Sequence, residues 1–370
     1  MKRILIILLS TFLLFTACNK PADVEKEKTE DAEVVDKAEE ERKKKEAEEK
    51  KKKEEEERQA AEEAKRLEEL KNAPKSPISG LPVDKEVLNN RVIGFMIDNH
   101  VQARPQSGLS KAETIYEYEV ESNITRYLAL FLANDVESIG PVRSLRPYFI
   151  NSLMEYDGII TRYGGSDDAD YDVYDLGIDE IDGMKVAGSY IWRDSSKGKV
   201  APHNAYSSTS AARQAAENMG FHSGEAKGVF EFNLEDTTPK GEPATRVFLN
   251  FSSSTAVEFK YDENTKTYDR YVAGTQHVDE LDGTEIKAKN IVIQLVEMGY
   301  YPNGVHRTVG NIGSGKGYYI SDGIVTEIEW SKADRQSKTE YKDSEGNPLK
   351  LNPGQTWVEM FNLAKEYVIE

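Results

Sequence analysis

The chain has 370 residues, 48 Lys and Arg against 66 Asp and Glu, a formal net charge of -18 and a single cysteine. A charge of this sign disfavours nucleic acid and anionic lipid as general partners, and one cysteine excludes any disulfide within the chain. Residues 19–75 carry 17 basic against 21 acidic side chains, and residues 76–370 carry 29 against 45, so the acidity is concentrated in the globular part.

The chain starts with Lys2 and Arg3, an apolar run from Ile4 to Phe15, and small residues leading into Cys18. The run is too short to cross a bilayer and reads as a secretion signal over residues 1–17. Cys18 resembles the lipobox cysteine of bacterial lipoproteins, although Phe15 departs from the usual aliphatic residue at its position. The plain alternative is an ordinary cleaved signal with a stray cysteine. Lipidation, including palmitate, predicts a cell-membrane protein on the extracytoplasmic face, because two or more acyl chains at roughly 0.8 kcal/mol per buried methylene anchor stably.

Residues 18–75 form a tether. From Asp31 to Asn72 the chain is almost wholly Glu, Lys, Ala and Arg. Glu46 with Lys50, Glu48 with Lys52 and Glu49 with Lys53 stand four apart in the order that supports a helix. No apolar seam is sustained, so the spacing predicts a solvated single helix and not a coiled coil; a disordered polyampholyte is the competing reading.

"APKSPISGLP" (73–82) ends the tether. Residues 91–97, 114–120, 125–133 and 158–163 predict strands; Leu145–Tyr156, capped by Ser144, and Ser210–Met219 predict helices. After Pro243 strands dominate, at 245–251, 256–272, 289–298, 315–321, 324–330 and 351–361. The expected fold is α+β: a mixed α/β domain over 76–225 and a mainly β domain over 243–370, with the boundary between Gly220 and Pro243.

"GFMIDNHVQARPQSGLSKAETIYEYEVESNITRYLALF", "IGPVRSLRPYF", "WRDSSKGKVAPHNAYSS" and "LNPGQTWVEM" resemble the YerB-like lipoproteins, a bacterial family with a conserved N-terminal and a distinct C-terminal domain. The resemblance covers nearly everything from Ser76 onward. It implies a membrane-anchored extracytoplasmic protein whose biochemical activity is not established.

The candidate ligand-binding residues come from four stretches. Asp98, Asn99, Arg104 and Gln106 crowd a loop after a strand, where sites are commonly built, although Asp and Asn there also close turns on their own backbone. Glu117, Glu119 and Glu121 recur with a period of two, and Arg126 opens the next strand; a two-residue turn would set Glu119 opposite Arg126, a longer one Glu117 or Glu121. Arg143 and Arg146 stand at a helix start, which already carries partial positive charge, and therefore require an anion. It is either a carboxylate of this chain or a bound ligand. Arg193, Asp194, His203 and Asn204 share an irregular segment, where His203 could act as a base oriented by Asp194, with Ser166 as nucleophile. "GGS" around Ser166 lacks the nucleophile-elbow pattern, and a histidine bonded to nearby backbone is the commoner case.

Other motifs fail where their chemistry is decided. "DDADYDVYDLGIDEID" has Val173 and Asp179 where a calcium loop needs Gly and Glu, and reads as a solvated acidic segment. "GNIGSGKG" has Gly317 where a phosphate-binding loop needs Ser or Thr. No metal site and no cofactor is predicted. The expected function is a non-catalytic envelope lipoprotein that binds an envelope protein or an anionic cell-wall ligand in envelope maintenance or regulation; the alternative is an extracytoplasmic hydrolase acting on wall material, and a solute-binding lipoprotein fits the strand-rich second half less well.

Overall fold

The computed structural model describes residues 30–370 apart from residues 187 and 303. Cys18 and the leader expected over residues 1–17 lie outside the described residues. The described chain divides into two compact units, one ending at Glu68 and one running from Glu69 to Glu370.

The described part of the first unit is helical: it belongs to α1, which spans Glu30–Asn72, a length of about 65 Å for its 43 residues. Good helix formers fill it, and residues 42–66 are all exposed, so no face is buried. The expected Glu-before-Lys pairs are replaced by their neighbours one turn on. Arg42 reaches Glu46 at 3.4 Å, Lys50 reaches Glu54 at 3.8 Å and Lys52 reaches Glu56 at 3.9 Å. Among the described residues no helix is long and apolar enough to cross a membrane.

In the second unit the first half supplies β1 (Ile93–Asp98), β2 (Thr114–Glu119), β3 (Thr125–Phe131), β4 (Ile159–Arg162) and β5 (Glu180–Asp182), with α2 (Pro147–Leu153), α3 (Asp167–Asp175) and α4 (Thr209–Asn218). The second half supplies β6 (Arg246–Leu249), β7 (Val257–Asp262), β8 (Thr267–Val272), β9 (Asn290–Val296), β10 (Gly313–Ser321), β11 (Ile324–Lys332), β12 (Glu340–Asp343), β13 (Thr356–Asn362) and β14 (Tyr367–Ile369). The main sheet has the order β12-β11-β10-β9-β13-β2-β3-β1-β4-β5, with a short strand at 242–243 beside β11. A smaller sheet is built around β8-β7-β6-β14.

Both faces of the main sheet are covered, so its central strands are buried on both sides and the two-residue period sorts their apolar side chains between two cores. Phe95, Ile115, Tyr127, Ala129 and Trp357 pack with the smaller sheet and α4. Met96, Tyr116, Leu128, Leu130 and Val358 pack with α2 and α3. The segments before residue 225 and after 243 are joined in this one sheet, because β13 inserts parallel between β2 and β9. They therefore share their cores, and the expected pair of domains is a pair of sequence segments within a single compact unit.

Three local expectations need correction. Helix α2 starts after Arg146, which takes the cap position, with Pro147 as its first residue. Ser144 lies two residues before the cap position, and its hydroxyl donates to the Tyr163 carbonyl at 3.1 Å. Glu121 lies off the strand in a turn where Ser122 and Asn123 have φ of 62° and 54°, and this longer turn sets Thr125 opposite Glu119 and Arg126 opposite Tyr118. The acidic stretch at 167–175 is a helix, capped by Ser166.

Candidate functional site at the carboxyl end of strand β1

Strands β1, β4 and β5 run parallel, and their carboxyl ends carry Asp98, Arg162 and Asp182. Irregular segments at such ends are where α/β sheets place their ligands. Asp98 is buried and holds its surroundings together. One carboxylate oxygen accepts from the His100 backbone N–H at 2.9 Å; the other lies 2.7 Å from His203 Nδ1 and 3.4 Å from Arg143 Nε. The His100 and His203 rings stack at 4.6 Å. Burial, with the adjoining His203, lowers the His100 pKa and favours its neutral form.

The segment around Arg143 is stitched beside β1, with the Arg143 N–H donating to the Met96 carbonyl at 2.8 Å. Arg146 grips both carboxylate oxygens of Glu121, and Arg126 approaches the same carboxylate at 3.6 Å while donating to the Ser144 carbonyl at 2.6 Å. Burial opposes ionisation of Glu121, but Arg126 and Arg146 overcome it and hold its pKa down at about 2. Burial and the like charge of Arg146 pull Arg126 down to about 10. Three guanidiniums thus meet two carboxylates; the buried Nε of Arg126 makes no hydrogen bond, and the Nε of Arg143 has only its ion pair with Asp98 at 3.4 Å, out of line for a hydrogen bond. The anion these arginines require is in part internal, and the pairing leaves positive charge over.

Asn99, Arg104, Gln106 and Glu117 belong to a second, interior network. Arg104 donates to the side chain and carbonyl of Asn99, both at 2.8 Å, and to the Ser254 carbonyl at 2.9 Å. Asn99 donates to Thr125 at 2.7 Å, and Thr125 donates to Glu117. Glu117 accepts from Arg270, Arg270 bonds His277 Nδ1 at 2.7 Å, and His277 Nε2 bonds Gln106 at 2.7 Å. Gln106 closes the ring on Asn99 at 2.9 Å. Arg270 and His277 come from the second half of the chain, and nothing in their sequence surroundings marks them.

Arg193 donates to Asn204 at 2.8 Å and lies 4.5 Å over the Tyr163 ring, on the rim next to the Arg143 segment. Two proposed roles do not survive. Asp194 is half-buried and accepts from the Ser196 N–H and hydroxyl, and Asp98, 105 residues away, bonds His203 instead. Ser166 caps α3, accepting from the Ala169 N–H at 3.3 Å, while His203 bonds Asp98 and not Ser166. Among the described residues no group of three or more His, Cys, Asp or Glu side chains is placed to hold a metal ion.

Residues 78–222 match the family described as "Protein of unknown function (DUF3048) N-terminal domain", and residues 247–358 match its C-terminal domain. "Putative lipoprotein YerB" of Bacillus subtilis (strain 168) is 32% identical over 288 residues, covering 77% of this chain and 85% of that protein. The crystal structure of the Bacillus subtilis YerB protein superposes with a TM-score of 0.73 at 29% identity, covering 80% of this chain and 99% of that one. The shared sequence stretches, the matched α+β architecture and both matched segments lead to one assignment: the chain belongs to the YerB-like DUF3048 family.

Proposed function

We propose that this protein is a lipid-anchored extracytoplasmic binding protein, attached to the cell membrane through Cys18, whose head takes an anionic ligand of the cell envelope at the carboxyl end of β1. The observation that carries this reading is the surplus of guanidinium over carboxylate around Asp98 and Glu121, with no hydrogen bond made by the Nε groups of Arg126 and Arg143, in a chain of net charge -18. A local positive site in an acidic protein selects anions by position and not by general attraction. The name of the Bacillus subtilis relative supports the lipid anchor. Calorimetric titration of the full chain in detergent with phosphate-bearing wall fragments tests the reading. Saturable binding abolished by Arg143→Ala is expected; absence of binding, or binding indifferent to Arg143, rejects it.

One observation favours a second reading, a hydrolase acting on wall material. Asp98 occupies Nδ1 of His203, and among the described residues Nε2 has no partner, which is the arrangement of a general base. With Ser166 not bonded to His203, the nucleophile would be water. Wall hydrolysis by the native chain, lost in His203→Gln with ligand binding retained, would establish this activity.

A further inference from the structure

The acidic stretch that the arginine site leaves unused lines a separate cleft of ≈ 370 Å³. Helix α3 turns Asp168, Tyr171 and Asp172 to one side by their spacing of three and four, and Tyr148 of α2 and Tyr301 stand among the facing walls. Its floor is fixed by a chain of planar groups. Arg335 bonds both oxygens of Asp172 at 3.0 and 2.6 Å, and its Nε donates to Asn151 at 2.8 Å. Asn151 in turn donates to Asn311 at 2.9 Å, and Asn311 to the Tyr148 carbonyl at 3.0 Å. Tyr171, by contrast, is 64% exposed, an aromatic face left in water at the mouth.

We propose that this cleft binds a neutral saccharide, a short glycan segment that lays a pyranose ring against Tyr171 and hydrogen-bonds to Asp168, Asp172 and Arg335. The mixture of groups selects the class. A cation needs acceptors alone and would meet the Arg335 guanidinium; an anion would meet Asp168 and Asp172. A polyhydroxy ligand uses both, since each hydroxyl donates and accepts, and the cleft offers carboxylate acceptors, guanidinium donors, and amide and phenol groups that serve either way. The aromatic rings supply apolar area for the C–H face of the sugar, and the volume falls within the range of small-ligand sites. The preformed Arg335–Asp172–Asn151 chain means that little ordering cost falls on binding.

The test is calorimetric titration of the full chain, in a polyoxyethylene detergent, with the β-1,4-linked tetramer of N-acetylglucosamine. Saturable binding is expected, weakened about tenfold or more by Tyr171→Ala and by Asp168→Ala, as the loss of one aromatic or charge-assisted contact requires. Tyr171→Phe keeps the ring and should keep most of the affinity, and Tyr174→Ala, at an 87% exposed position on the same helix, should change nothing. No binding at millimolar tetramer overturns the proposal, as does a Tyr171→Ala chain that binds like Tyr174→Ala. Preferential binding of acetylcholine over the tetramer reassigns the cleft to cations and overturns it equally.

Discussion

Glu117 and Glu359 stand directly opposite each other on the paired parallel strands β2 and β13, both with no exposure to solvent, and the Arg270 guanidinium pairs with Glu117. Burial, then the charge on Glu117, push the Glu359 pKa well above the carboxylate range, so Glu359 is kept protonated. Below the ordinary carboxylate pKa the folded and unfolded chains both hold this proton. Above it the unfolded chain releases a proton that the folded chain retains, and stability falls as pH rises. Glu359→Gln mimics the protonated form, so it should lie within about 1 kcal/mol of the native protein near pH 5 and gain on it by about pH 8. Glu117→Gln strands Arg270 in the interior and should cost about 3–5 kcal/mol. Urea midpoints at the two pH values check both; an advantage of Glu359→Gln that shrinks with rising pH refutes the assignment.

Arg146 and Arg143 are expected to behave differently although they share one motif. Arg146→Ala leaves Glu121 with Arg126 alone and should destabilise by about 3 kcal/mol, the lower end for a broken buried pair because Glu121 keeps some contact with solvent. Arg143→Ala should stay within about 1 kcal/mol, since Asp98 retains His203 and the His100 N–H. The Glu121 contribution is present above the unfolded carboxylate pKa and is lost as pH falls through about 2, so the deficit of Glu121→Gln should shrink over that window. Thermal melts across this acid range decide, and equal losses for the two arginine variants would contradict the geometry.

What could be read from the sequence follows the range of the interactions. Strands β1, β3 and β4 announce themselves by nearly continuous apolar runs, β2 by its alternation of aromatic and acidic residues, and the tether because nearly every residue in it favours a helix. The contacts of the candidate site cross longer distances. Proximity in the sequence points to Asp194 as the orienter of His203, whereas the residue that holds it is Asp98 at the end of β1. Glu119 pairs with Arg307 and Lys365, 188 and 246 residues on, and only the insertion of β13 beside β2 brings the last part of the chain so near. Helix α3 was hidden by its own aspartates, which are poor helix formers but favourable in a first turn behind the Ser166 cap.

The proposed lipid anchor predicts the fate of a single substitution. Cys18 is the chain's sole cysteine and follows an apolar run, so on the proposed anchoring Cys18→Ala should release the protein to the medium or leave an unprocessed precursor. Fractionation of cells with detection of the chain by immunoblot reads the outcome. Membrane retention of a correctly processed variant at the native level would exclude an acyl anchor at this position.

The tether should be a salt-sensitive helix that remains monomeric. Its described side chains from Arg42 to Arg66 are exposed, and its pairs, such as Arg58 with Glu55 at 2.6 Å and Arg66 with Glu63 at 2.7 Å, join neighbouring turns of one helix. Helicity supported by exposed ion pairs is screened when the Debye length falls to about 3 Å near 1 M salt, whereas helicity supported by an apolar seam is not. A seam would also require a partner helix, and association would then raise helicity with concentration. A peptide of residues 31–72 should therefore lose part of its 222 nm circular dichroism signal on going from about 0.01 M to about 1 M salt, the range over which the Debye length shortens from about 30 to about 3 Å. At fixed salt the signal per residue should be independent of peptide concentration, with a monomer mass by sedimentation equilibrium. A signal that rises with concentration and resists salt would identify a coiled coil, and the exposed face of α1 would then be an oligomerisation surface.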